Sequence, residues 1–357
     1  MDAKTIERLR EMKASNVHYD LLQFYRTKIS RAIIKKDAAG AFDLYFDGFS
    51  YFYEVAENGL IVDLTNYLGD CFEKSQFEPS EQLFSLIAKV VLRFGDDNDH
   101  LPPSEDVVQA LLDARQKFID STVRWSKKFA RGNTQEHRFG FADLHSHIGD
   151  AFFEQKSLDM AHNHYLLSND PNKLSSFLAD IQKTFAPSSD ADLIIARAVL
   201  QLLCLDMFPN AREVLVLYSK KTGKNIHQLP LMAFVDSLMD AVCLNNVNKL
   251  NFLLETYEEQ LERDPALKSY IDKIGKFYFG FKSPSQGGFR DILKGLMGSD
   301  TTEETAKSHL AASSAAQAQY KARPTPDADL DDGFTTADED SPPTSARGNM
   351  EIDDDLD

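Results

Sequence analysis

The sequence predicts an all-α protein: an irregular α-solenoid of tetratricopeptide-like helical hairpins, followed by an acidic tail expected to be disordered. Three observations carry this expectation. Apolar residues recur every three or four positions from Thr5 to Ser299, and nowhere do they alternate long enough to specify a strand. The breaks between apolar stripes are short, as they are between antiparallel helix pairs. Beyond Ser299 few bulky apolar residues remain to offset the entropy of ordering the chain.

The elements follow in order. Leu21, Tyr25, Ile29 and Ile33 step by four and set a helix over 19–36. Ala41, Tyr45, Gly48 and Phe52 set the next, which the Asn58-Gly59 break ends. Ser104, after Pro102-Pro103 and before Glu105-Asp106, is the expected N-cap of another helix. Phe141, Leu144, Ile148, Ala151 and Phe152 form one stripe. Further breaks fall at Gly132-Asn133, Asp170-Pro171, Ala186-Pro187-Ser188, Pro209-Asn210, Leu229-Pro230 and Asp264-Pro265. Ser189 or Asp190 is the expected cap of the run Leu193 to Leu205. Roughly a dozen helices result.

One segment fits a known repeat. In the tetratricopeptide pattern an aromatic-x2-Leu-Gly-x2-Tyr segment is followed by Ala-x3-Phe and then Pro. Here His145-x2-Ile148-Gly149-x2-Phe152 precedes Ala161-x3-Tyr165 and Pro171. Gly149 and Ala161 stand where the two helices of a hairpin approach closely, and Ile148, Phe152 and Tyr165 fill the wedge between hairpins. Ala41-x3-Tyr45 is a weaker echo.

Charge and cysteine usage exclude several classes. The 357 residues carry 39 basic and 56 acidic side chains, a net of -17, which argues against binding nucleic acid. That charge is polarised. Residues 300–357 hold 15 acids and 4 bases, a net of -11, whereas residues 1–40 hold 9 bases and 5 acids, a net of +4. Cys71, Cys204 and Cys243 have neither disulfide nor zinc spacing and are expected to be small buried hydrophobes in a reducing cytosol. No apolar run is long enough to span a membrane, so a cytoplasmic protein is expected.

Candidate chemistry is sparse. Asp143-Leu144-His145-Ser146-His147 resembles the His-x-His metal motif of amidohydrolase barrels, and His162 and His164 repeat the spacing. On a strand both imidazoles of such a pair reach one metal. On a helix they diverge by about 200°. The stripe around them is helical, so a metal-dependent hydrolase using His145 and His147 ranks below a binding protein. P-loop, G-x-S-x-G and dinucleotide fingerprints are absent, so no cofactor is expected. A generic peptide-binding tetratricopeptide scaffold is the nearer alternative, although only one regular repeat is visible.

Two surfaces stand out. Gln23, Arg26, Thr27, Arg31 and Lys35 repeat at helical spacing and form a polar, basic strip opposite the apolar one, suited to an acidic partner. Near the other end, Tyr270, Ile274, Phe277, Tyr278, Phe279 and Phe281 cluster, followed by an amphipathic stripe over Phe289, Ile292, Leu293, Leu296 and Met297.

The chain resembles the Get4 family, helical adaptors of the pathway that delivers tail-anchored membrane proteins to the endoplasmic reticulum. The resemblance rests on Tyr19-Asp20-x2-Gln23-x2-Arg26-Thr27-x3-Arg31, Asp63-Leu64, Trp125-Ser126, Leu144-His145, the run Ala198 to Leu205, Arg263-Asp264-Pro265, Ile274-Gly275 with Phe279-Gly280, and Leu296-Met297-Gly298. It implies a non-enzymatic solenoid over residues 1–299, with an ATPase-binding half at 1–155, a half at 156–299 that binds a ubiquitin-like adaptor protein, and a tail at 300–357. It assigns the ArsA-like homodimeric targeting ATPase to Tyr19, Gln23, Arg26, Thr27, Arg31 and Asp63. The ubiquitin-like partner is expected on Leu231, Phe234, Leu238, Tyr270, Ile274, Phe277 and Phe279. Animal members also join a BAG-domain scaffold in quality control. Ala32 stands where many members carry an aromatic, and Ser219 to Leu229 lacks the alternation of the β-hairpin found in some fungal members.

Overall fold

The structure, a computed structural model, describes residues 3–15, 17–94, 104–132, 134–185 and 190–281. All its regular elements are helical. The first half holds α1 (Ala3–Ala14), α2 (His18–Ile34), α3 (Ala38–Glu54), α4 (Asn58–Glu73), α5 (Glu81–Arg93), α6 (Glu105–Lys127) and α7 (Thr134–Phe139). Then come α8 (Ala142–Glu154), α9 (Leu158–Leu167), α10 (Pro171–Phe185), α11 (Ala191–Cys204), α12 (Phe208–Thr222), α13 (Pro230–Cys243), α14 (Val247–Thr256), α15 (Glu258–Leu261) and α16 (Pro265–Phe279). Between α12 and α13 the chain makes a 3-10 turn at Ile226–Gln228, so the 219–229 stretch holds no β-hairpin. The predicted helix over Phe289 to Met297 and the acidic tail lie outside the described residues.

One turn recurs five times. At Lys36, Ala56, Lys156, Asp206 and Asn245 the backbone enters the left-handed region, with φ between 48° and 63°. The following residue (Asp37, Glu57, Ser157, Met207 or Asn246) donates its N–H to the carbonyl five residues back, on Ala32, Phe52, Phe152, Leu202 or Ala241, at 2.8 to 2.9 Å. Its own carbonyl accepts from the residue four ahead, which is Ala41, Ile61, Ala161, Ala211 or Leu250. All five of these acceptor-paired residues are buried. One residue thus closes a Schellman-type helix end and opens the next helix. Side-chain caps are optional: Asp37 and Asn246 accept from Gly40 and Lys249, while Glu57, Ser157 and Met207 make no cap bond. The predicted caps behave the same way. Ser104 precedes α6 and Asp190 precedes α11, yet neither side chain caps its helix.

The turns fold the chain into antiparallel pairs that stack. α2, α3 and α4 pack on one another, α4 lies along α6, and α5 lies along α8. α8 pairs with α9 as the repeat pattern predicts, and a methyl group on Gly149 would sit 2.8 Å from ring carbons of Tyr165. Ile148, Phe152 and Ala161 are fully buried beside it. α10 packs on α12, and α11 is enclosed by α12, α13 and α16. Trp125, fully buried, meets Phe72 edge to face at 4.8 Å between α6 and α4. Cys71 and Cys204 are half-buried and Cys243 is exposed, which corrects the expectation that all three are core thiols. Cys204 lies under α16, its thiol 3.5 Å from the Tyr270 carbonyl, and burial pushes its pKa up to about 12.

The turn has a measurable consequence. A left-handed residue with a Cβ costs roughly 1 kcal/mol that glycine avoids. Ala56→Gly, at an exposed turn, is expected to raise unfolding stability by about 0.5–1 kcal/mol in urea titration. Gly149→Ala is expected to lower it by about 1–3 kcal/mol, because neither helix can yield to the added methyl without shifting Tyr165.

Candidate protein-docking sites

The N-terminal strip is built on a braced helix. Lys13 of α1 pairs with both oxygens of Asp47 at 2.9 and 3.0 Å, and the Tyr25 hydroxyl of α2 donates to the same carboxylate at 2.5 Å. Tyr51 donates to the Lys13 carbonyl at 3.2 Å. Burial and the adjacent Asp47 charge push the Tyr25 pKa well up, so its proton stays on this bond. With Leu21, Leu22, Tyr25 and Ile29 buried, α2 turns its other face outward.

On that face Tyr19 is 66% exposed, Thr27 and Arg31 are exposed, and Gln23 is half-buried. The Thr27 hydroxyl donates back to the Gln23 carbonyl at 2.9 Å, which fixes its rotamer and presents its methyl. The Arg26 guanidinium lies over the Tyr67 ring of α4, 4.6 Å from its centre, a cation–π contact that holds the charge at the α2–α4 seam. Asp63 is exposed on α4 one turn before Tyr67, so all six predicted residues occupy the paired α2–α4 surface. Sequence reasoning missed two members. Tyr67 escaped because its signal is a contact between helices. Ile34, 78% exposed at the end of α2, escaped because an apolar residue next to Ile33 reads as core.

The C-terminal candidates divide differently, and here the expectation needs correction. Leu231, Phe234, Leu238 and Ile274 are fully buried, so they support a surface without forming it. They face the core because α13 and α16 both close over α11. Tyr270 is half-buried and its hydroxyl accepts from Gln201 at 3.1 Å. Phe277 and Phe279 are half-buried, paired with Tyr278 and Phe281 respectively. Among the described residues, the most exposed large apolar side chains of this half are Leu244 at 70% and Phe252 at 65%, both on the α13–α14 hairpin, ahead of Val216 on α12.

A polar network anchors that half. Asp192, almost fully buried, accepts from Arg263 at 3.0 Å and from the Leu231 N–H at 3.2 Å. Arg263 also pairs with Asp190 at 3.3 Å. Asp264 accepts from the Ala266 N–H at the start of α16, and its other oxygen takes two bonds from Arg197, at 2.6 and 3.1 Å. Gly275 leaves room for the Phe281 ring, 2.8 Å from where a Cβ would stand.

The histidines face apart. His145 is buried and its Nε2–H donates to the Phe139 carbonyl at 2.8 Å, which leaves Nδ1 to accept from the Nδ1–H of buried His164 at 2.9 Å. His147 points to the other side, 3.0 Å from Glu81, and His162 donates to Gln201 at 2.8 Å. Each His-x-His pair therefore diverges from a helix toward separate partners, which is incompatible with shared chelation and with the hydrolase reading. Burial holds the His145 pKa at about 4, with the Lys127 charge adding to the effect, and holds that of His164 well below its ordinary value, with the His145 ring further opposing its charge.

The fold defines an all-α solenoid of stacked helical hairpins. The family model for Golgi to ER traffic protein 4 (GET4) matches residues 35–299, and the chain belongs to that family. The family is one of traffic proteins rather than of enzymes. Of the six residues that the resemblance assigns to the ATPase, all but Asp63 precede the matched segment. The chain is 26% identical to Golgi to ER traffic protein 4 homolog A of Xenopus laevis, over 83% of this chain and 88% of that one. It is 25% identical to the Homo sapiens homolog, over 83% and 87%, and 26% identical to Protein GET4 of Arabidopsis thaliana, over 82% and 95%. The crystal structure of C. therm. Get4 superposes with a TM-score of 0.56 at 21% identity, covering 84% of this chain and 96% of that one, which shows a shared fold.

The buried histidine pair sets a pH dependence. Both rings stay neutral in the fold, whereas in the unfolded chain they take up protons near pH 6.5. Their contribution to stability is therefore complete above about pH 6.5 and declines as pH falls toward about 4. Urea midpoints measured between about pH 7 and pH 4.5 should fall, and in His164→Phe unfolding at the acidic end should take up about one proton fewer per molecule.

Proposed function

We propose that this chain is a non-enzymatic cytosolic adaptor in the delivery of tail-anchored proteins to the endoplasmic reticulum. The α2–α4 surface docks the ArsA-like homodimeric ATPase, and the C-terminal half holds a ubiquitin-like adaptor protein. The single observation that carries the reading is the exposed face of a braced α2, where Tyr19, Gln23, Thr27 and Arg31 lie beside Arg26 and Asp63. Fixed charges on a rigid helix lose little entropy on docking and steer an acidic partner. Exposed Tyr19 and Ile34 add apolar contact at the two ends of the strip, and aromatic and Arg side chains are the usual anchors of such interfaces.

On the second partner's side, Leu244 and Phe252 take the place of the buried Leu231, Phe234 and Leu238 as contact residues, with the half-buried Phe277 and Phe279 as further candidates. The division into an ATPase half, residues 1–155, and a ubiquitin-like-partner half, residues 156–299, belongs to this proposal, as does a BAG-domain scaffold as a third partner. Among the described residues no helix is long and apolar enough to cross a membrane, which accords with an adaptor that works beside one.

Charge reversal tests the reading. Arg31→Glu removes an exposed cation without touching the core, and Arg26→Glu also dissolves the stack on Tyr67. At low salt the double variant is expected to capture the ATPase at least about 30-fold more weakly than the native chain, as losing two close interfacial charges implies. Unchanged capture by a variant with native helicity would show the surface to be misassigned. The native interaction should itself weaken as salt shortens the screening length below about 10 Å.

A further inference from the structure

A second basic feature lies between α1 and α2, outside the strip. Lys4, Thr5, Arg8, Phe24 and Lys28 line an open cleft of about 320 Å³. The Lys28 ammonium donates to the buried Thr5 hydroxyl at 2.7 Å and lies over the Phe24 ring, 5.2 Å from its centre. Arg8 is shared with Glu11 at 3.0 Å, and the neighbouring Glu7 pairs with Arg10 at 3.5 Å. Among the described residues no carboxylate stands within ion-pair distance of Lys4 or Lys28. Two ammonium groups therefore face a cleft whose remaining walls are a hydroxyl, an aromatic ring and one shared guanidinium. Such a lining is complementary in charge and character to closely spaced carboxylates carried on a partly apolar chain.

The same chain supplies such a segment. Residues 351–357 read Glu-Ile-Asp-Asp-Asp-Leu-Asp, five acids and two aliphatic side chains without a base. We propose that this acidic segment docks in the α1–α2 cleft of its own chain. Its carboxylates pair with Lys4 and Lys28, and Ile352 or Leu356 packs on Phe24. Length does not prevent the contact: residues 282–350 between the last described helix and this segment can extend over roughly 200 Å. α6, the longest helix at 23 residues, spans only about 35 Å. Arg31 and Lys35 follow Lys28 on the same side of α2 at helical spacing, so a seated segment lies along the edge of the basic strip and shields it. The contact concerns this chain alone and is tested without the ATPase.

The experiment is lysine footprinting on the full chain with an acetylating reagent. The native protein is compared with a variant carrying Glu351→Gln and Asp→Asn at positions 353, 354, 355 and 357, all outside the described residues. Lys4 and Lys28 are expected to react about fivefold or more faster in the variant, the factor implied by losing two exposed charge pairs, while Lys89, Lys117 and Lys268 keep their rates. Equal rates at Lys4 and Lys28 would overturn the proposal, as would a uniform change at every lysine, which marks a diffuse field. Carbodiimide cross-linking of the native chain supplies the second readout. Amide links from 351–357 to Lys4 or Lys28 within one copy support the contact. Links formed only between isotopically labelled and unlabelled copies, or links to 327–340 in place of 351–357, refute it.

Discussion

At five places among the described residues, one backbone position has to serve two helices at once. Its N–H closes the helix behind, its carbonyl starts the helix ahead, and the residue before it accepts a left-handed conformation so that both bonds can form. A connection this short has no slack, so the angle between the two helices follows from the bond geometry. The residue it delivers into the next helix is always a buried one, whether Ala41, Ile61, Ala161, Ala211 or Leu250. Stacking then follows, and with it the placement of every exposed side chain. Arg26 meets Tyr67, and Asp63 lies on the same surface, because the turns at Lys36 and Ala56 bring α2 and α4 side by side around α3.

Much of what makes the sequence look familiar proves to be carpentry. Arg263-Asp264-Pro265 starts α16 and ties it to α11 through Asp192 and Arg197. Trp125 packs on Phe72, and the Ser126 hydroxyl accepts from the Phe141 N–H where α8 begins. Leu144-His145 supplies a core leucine and one half of the buried imidazole pair. These short motifs therefore identify a fold through the joints it requires. The matched motifs whose side chains lie on the surface are the N-terminal one from Tyr19 to Arg31 and, through Asp63, Asp63-Leu64.

The helical class, the α8–α9 repeat and the basic strip were legible because each depends on spacing within one helix. Gly149 under Tyr165 is the clearest case, since close packing demands small residues at fixed intervals. The repeated turn was not legible, because five different pairs of residues occupy its two key positions and none includes glycine. The backbone bonds define it, and almost any side chain tolerates them at modest cost. The C-terminal surface misled for the complementary reason. Leu231, Phe234 and Leu238 carry the apolar spacing of an amphipathic face, and spacing alone does not tell whether that face meets solvent, a partner or another helix of the same chain. α11 is that other helix, and its run from Ala198 to Leu203 is buried on every side.

The return of α16 to α11 also makes the second half depend on contacts that are distant in sequence. Neighbouring helices of the first half, α2 with α3 and α3 with α4, pack over short sequence distances. The second half waits for partners separated by many residues: Arg197 for Asp264, Leu203 for the Tyr278 hydroxyl, and Asp192 for Arg263. Until α16 is made, α11 carries an uncovered apolar side and a carboxylate without its guanidinium. Nascent chains interrupted before Pro265 are therefore expected to present an incomplete core to the chaperones and proteases that meet them.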